Sequence, residues 1–166
     1  AERVRLMRVH GARPKFHHLE VGGNFRLDTL QAALLRLKLP LVEPQAIERQ
    51  RIASLYADGL APLVERGLWR WLDRASGTHV LHQLCARVQN RDRLREHLRE
   101  RNIGTGIYYP EPLHTQPCFS ELNQGIGQCP IAEAACDELV ALPCFFGLTD
   151  DEVSSVISAV LEFYTR

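Results

Sequence analysis

Leucines at 27, 30, 34, 37 and 41 recur every three or four residues and so line one face of a helix. That helix starts near Arg26 and is stopped or kinked by Pro40. Pro44 offers a second start, and Ile47, Ile52, Leu55, Tyr56, Leu60, Leu63 and Val64 carry an apolar face to about Glu65. Gly59 and Pro62 weaken its last turns. Trp69 and Trp71 then stand at strand spacing, and Ser76-Gly77 reads as a turn. From Thr78 to Val88 the period becomes two, which predicts a strand with at least one buried face. Asn90 is placed to cap a helix to about Arg101, with Leu94 and Leu98 inward and arginines 91, 93, 95, 99 and 101 as a solvated face. Gly104 to Tyr109 reads as a short strand ended by Pro110, and 110–128 as a long loop of the kind that often lies at a functional site. Pro130 opens a helix through Leu139, and Val140 to Cys144 is a third short strand. Thr149 with Glu152 forms a capping box, followed by an amphipathic helix through Val153, Val156, Ile157, Val160, Leu161 and Tyr164.

This order predicts an α/β fold: a basic arm and helical segment over 1–66, then a small α/β domain over 67–166 with helices on at least one face of its sheet. At 166 residues the chain has about one domain's length, and its 45% apolar and 24% charged content is that of a globular protein. Twenty basic residues balance twenty acidic ones, so overall charge gives no reason to expect nucleic acid or an anionic membrane. The arm (Arg3, Arg5, Arg8, His10, Arg13, Lys15, His17 and His18) lacks interleaved aromatics for base stacking and reads as a solvated or interface segment. No run of eighteen apolar residues and no signal-peptide core is seen, and a cytoplasmic location is expected. Five widely spaced cysteines suit reduced thiols better than a disulfide framework.

Candidate chemistry is sparse. Gly22-Gly23-Asn24 before a helix gathers backbone N–H groups, with Asn24 as its cap, Asp28 in its first turn and Arg26 beside it. Such a point receives an anion such as a phosphate, or is simply an ordinary capped helix. His114, Cys118, Cys129 and Cys136 lack zinc-ligand spacing, so no metal is expected there, and a Cys/His nucleophile pair has no local signature. Gly104 and Gly106 do not make a dinucleotide fingerprint, and Asp150-Asp151 serve a helix dipole.

Four stretches together resemble one family. They are Arg8-Val9-His10-Gly11; Gly22-x-Asn24-x-Arg26-Leu27-Asp28-x-Leu30-Gln31-Ala32-Ala33; Gly104-Thr105-Gly106-Ile107-x-Tyr109-Pro110-x-Pro112-Leu113-His114-x-Gln116-Pro117; and Leu142-Pro143. In order and spacing they are similar to the DegT/StrS sugar-nucleotide aminotransferases, from about residue 5 onward. The resemblance implies a pyridoxal-phosphate enzyme of the aspartate-aminotransferase fold, of which this chain is a C-terminal portion.

In that family the Schiff-base lysine precedes the matched segment. Neither lysine here, Lys15 or Lys38, occupies its position, so the chain is expected to be inactive alone and not to hold the cofactor by itself. The resemblance makes Asn24 the residue that reaches a neighbouring subunit's cofactor phosphate, and places Arg26, Tyr108 and Tyr109 near the nucleotide-sugar pocket. It implies a homodimer or a lysine-bearing partner chain. The alternative is a dimerisation or ligand-binding module without catalysis. Two departures stand out: Gly23 replaces a usual aromatic, and Tyr108 a common histidine. An exposed apolar patch on the 26–41 helix is expected under either reading.

Overall fold

Residues 1–72, 79–123 and 125–165 are described by the structure, a computed structural model. The expected turn at Ser76-Gly77 and the strand start at Thr78 lie outside them. The chain divides into two compact units, 1–42 and 43–166. Of the two helices expected over 1–66, the first lies in the first unit and the second in the second.

In the first unit, α1 (Glu2–Met7) leads into a close crossing of two backbone segments. Val9 and Asn24 form an antiparallel bridge, flanked by His10 N to Gly23 O (3.0 Å), Gly23 N to Met7 O (2.9 Å) and Phe25 N to Arg8 O (3.1 Å). A side chain at Gly22 would sit 2.5 Å from both Gly11 N and Met7 O, so this glycine exists for the crossing and not to open a helix. The following helix, α2 (Thr29–Lys38), starts three residues later than expected because Asp28, not Asn24, is its cap: Asp28 Oδ1 accepts from Leu30 N at 2.8 Å. Pro40 turns the chain through a 3₁₀ segment, Leu39–Leu41. None of the α2 residues is buried; Leu30 is 71% and Leu37 74% exposed.

The second unit is built on a three-stranded antiparallel sheet in the order β1 (Trp69–Trp71), β2 (Leu84–Val88), β3 (Leu139–Leu142). Its register sets Trp69 opposite Val88, Trp71 opposite Ala86, and Ala86 opposite Val140, so these residues share one face. That face packs on Ile52 and Tyr56 of α3 (Val42–Gly59), Leu63 of α4 (Ala61–Glu65), Leu94 and Leu98 of α5 (Arg91–Arg99), and Val153, Val156 and Val160 of α7 (Asp150–Thr165). On the opposite face Arg87 pairs with Glu138 of α6 (Pro130–Glu138). Helices therefore cover both sides, and the all-buried Leu139–Leu142 strand follows from that.

Three expectations need correction. The strand begins at Leu84 because the carbonyls of His79 and Val80 are taken by Gln50 and Arg49 of α3, and Leu81 turns left-handed at φ 48°. Gly104 to Tyr109 reduces to one bridge, Gly106 to Ala141, which covers the outer edge of β3. Asn90 does precede α5, but in a left-handed conformation (φ 55°) without a side-chain cap bond. The capping box of α7 forms as read: Thr149 N and Oγ1 donate to Glu152 Oε2 at 2.8 Å, and Glu152 N returns to Thr149 Oγ1 at 3.3 Å. Among the described residues, no helix is long and apolar enough to cross a membrane.

Candidate functional site

Two places carry the residues singled out by sequence, one in each unit. In the first unit, Arg8, Asn24, Arg26, Leu27, Asp28 and Thr29 line an open cavity of about 450 Å³. The Val9–Asn24 bridge brings Arg8 beside Asn24, and Arg26 Nε donates to Asn24 Oδ1 at 2.9 Å. That bond spends the amide oxygen of Asn24 and leaves its NH₂ as a donor. Asp28 is the one acid in the lining, and its Oδ1 is engaged by Leu30 N. Among the described residues no carboxylate pairs with Arg8 or Arg26. Two guanidinium groups and an amide around one polar hollow suit a phosphate or carboxylate. Arg8 was legible only as part of a motif; its place in the cavity comes from the backbone crossing.

In the second unit, a cavity of about 620 Å³ is walled by Tyr108, Tyr109, Leu113, His114, Gln116 and, from α6, Ala132 and Ala135, among others. The two tyrosine rings meet edge to face with centroids 5.8 Å apart. Gly106 allows this, since a side chain there would meet the Tyr108 ring at 2.8 Å. The surfaces are largely apolar, with Tyr, His and Gln supplying the polar points, the usual build of a small-molecule pocket.

The residue that sequence reading passed over is Glu133. Its carboxylate is held below its ordinary value chiefly by the Gly127 backbone N–H, with the Cys129 N–H and the His114 ring adding to it. His114 thus meets a glutamate, with Nε2 and Oε1 2.9 Å apart. The Glu133 signal in the sequence, an acid in the first turns of a helix, is too common to single out. Among the described residues no cluster of three His, Cys, Asp or Glu is placed to hold a metal ion.

The profile of the DegT/DnrJ/EryC1/StrS aminotransferase family matches residues 1–161. The chain is 38% identical over 164 residues to a pleiotropic regulatory protein of Geobacillus stearothermophilus, covering 99% of this chain and 44% of that protein. It is 36% identical over 166 residues to the dTDP-3-amino-3,4,6-trideoxy-alpha-D-glucose transaminase of Streptomyces venezuelae, covering 100% of this chain and 43% of the enzyme. The solved structure of DesV from S. venezuelae superposes with a TM-score of 0.88 at 35% identity, over 99% of this chain and 44% of that one. The chain thus spans under half the length of these relatives.

Proposed function

This chain belongs to the DegT/DnrJ/EryC1/StrS aminotransferase family, and we propose that it is the C-terminal portion of a pyridoxal-phosphate-dependent sugar-nucleotide aminotransferase, inactive alone, that lends a cofactor-phosphate contact to a lysine-bearing partner. The observation that carries this reading is the cavity of Arg8, Asn24 and Arg26, whose lining contains no lysine. Its donors fit a phosphate monoester: the Asn24 amide and two cations without carboxylate partners. They offer no amine to a carbonyl. The two lysines stand elsewhere, Lys15 with its ammonium 4.9 Å from the centroid of the exposed Phe16 ring and Lys38 at the end of α2. Bound to the complete assembly, the cofactor supplies the electron sink through which an amino group passes to a keto-sugar. This chain's part is to hold: Asn24 the phosphate, Arg26 an anionic group of the substrate, Tyr108 and Tyr109 the nucleotide sugar. The lysine-bearing partner is a separate chain, in the cytoplasm.

A second reading is favoured by the unburied leucine face of α2: a dimerisation or ligand-binding module without catalysis. The two are separated by adding a separately produced N-terminal half of a family enzyme that carries the lysine. The first reading expects borohydride-trapped pyridoxal phosphate on the added lysine, with Asn24→Ala weakening cofactor retention by about tenfold, as for a lost charge-assisted bond. No association, or trapping indifferent to Asn24→Ala, would contradict it and leave the module.

A further inference from the structure

Glu133 lies in the first turns of α6 and turns back over the start of that helix. Its Oε1 accepts from Gly127 N at 2.9 Å and from Cys129 N at 3.1 Å, and stands 2.9 Å from His114 Nε2. Its Oε2 also accepts from Gly127 N at 2.9 Å. The His114 side chain is 8% exposed and that of Glu133 20%, so the contact between them is partly shielded from water, while the Gly127 and Cys129 bonds lie at the surface.

One carboxylate thereby closes three points of the 110–129 segment onto one helix. Among the described residues, every hydrogen bond from 110–128 to α6 runs to Glu133, and no backbone carbonyl accepts from the Gly127 or Cys129 amide. The other hydrogen bonds of the segment are local, such as Thr115 Oγ1 to Glu111 Oε1 (3.0 Å) and Phe119 N to Gln116 O (2.9 Å). The same segment forms one wall of the tyrosine cavity, from Pro110 to His114 and Gln116, while Ala132 and Ala135 of α6 form another. Glu133 itself lines the adjoining hollow of about 580 Å³, together with Thr115 and Ile126.

We propose that Glu133 is the positioning residue of the Tyr108–Tyr109 cavity: through His114 and the amides of Gly127 and Cys129 it holds the 110–129 segment as that cavity's wall. The inference rests on the proposed substrate pocket only for its use. Its geometry is independent, so a test that reads the loop itself fails separately from any test of the aminotransferase reading.

The test uses the full chain with its four tyrosines replaced by 3-fluorotyrosine, observed by fluorine NMR, alongside amide hydrogen exchange. Two tyrosines, Tyr56 and Tyr164, pack in the core of the second unit, while Tyr108 and Tyr109 are at the cavity. In Glu133→Gln the resonances of Tyr108 and Tyr109 are expected to shift or broaden while those of Tyr56 and Tyr164 stay. Exchange at Gly127 and Cys129 should quicken by about tenfold or more, the loss of a charged acceptor. Should Glu133→Gln fail to fold, His114→Gln carries the test: the two cavity tyrosines respond and the Gly127 and Cys129 amides stay protected. The proposal is overturned if the cavity tyrosines do not respond to either variant, or if all four resonances move together, which would make Glu133 a support of the whole unit.

Discussion

Arg91 stands in an arginine-rich stretch that reads as a solvated helix face, yet it is only 9% exposed. Its Nη1 donates to Cys136 O (2.9 Å) and Leu139 O (3.2 Å), and its Nε to Asp92 Oδ1 (2.6 Å), fastening α5 to the junction of α6 and β3. The side chain satisfies carbonyls at a helix end that lacks a glycine stop. Arg91→Ala should destabilise the protein by about 2–3 kcal/mol, because it strands those carbonyls, whereas Arg93→Ala at an exposed position should stay within about 0.5 kcal/mol. Urea unfolding of both variants checks the contrast. Nothing local distinguishes Arg91 from Arg93 in sequence; the partners are 45 and 48 residues away.

Hydrogen-bonded carboxylates, Glu133 and Glu152 among them, give the protein an acid-sensitive edge. Glu133 is held low by the Gly127 and Cys129 amides and His114, and Glu152 by the Thr149 amide and hydroxyl. For a group whose folded pKa lies below its unfolded value of about 4.3, the stabilisation is whole above that value and is lost as pH falls through the folded one. Thermal stability should therefore fall below about pH 4, and Glu152→Gln should flatten that fall. An unchanged pH profile in the variant would remove Glu152 from this role.

At the scale of elements, periodicity found the helices because it is a local property, while their ends depended on what else could bond. Thr149 and Glu152 are three residues apart and meet as read, so α7 was legible from its capping box. Asn24 and Asp28 are both good caps, and only the backbone crossing at Gly22 and Gly23 decides for Asp28. The start of β2 was not legible because Arg49 and Gln50, some 30 residues earlier, take the carbonyls of 79 and 80. Thr149→Ala should cost about 1 kcal/mol through α7. Gly59→Ala places a methyl 2.6 Å from Ile157 Cδ1, so it should destabilise despite Ala's better helix propensity; Ile157→Val beside it should recover part of the loss. Melting temperatures of the single and double variants measure both effects.

For the whole molecule, the leucine stripe expected to be exposed is so: Leu30, Leu34 and Leu37 of α2 and Leu41 just beyond it are all more than half exposed. A stripe of this kind on a folded chain marks an interaction surface. Sedimentation should show association that rises with concentration, and Leu30→Asp with Leu37→Asp should abolish it together with binding of a hydrophobic dye. A chain that stays monomeric at high concentration and binds no dye would exclude that surface. The candidate site was legible unevenly. Asn24 and Arg26 were singled out as the start of a helix, which begins instead at Thr29 under an Asp28 cap; their place beside Arg8 in one hollow comes from the backbone crossing. Tyr108 and Tyr109 were reached only through family resemblance, since a tyrosine pair before a proline has no chemistry of its own, and Glu133 needed the folded loop.

Whether this chain can hold pyridoxal phosphate by itself is tested most directly by mixing the two, reducing with borohydride, and reading the intact mass and the modified residue. Two lysines and one α-amino group make the outcome easy to assign. Weak scattered labelling or none is expected, as for a chain that contributes a phosphate contact but not the anchoring amine. A stoichiometric adduct on Lys15 or Lys38, displaced by a nucleotide sugar, would contradict it and mean that the active site has moved onto this chain.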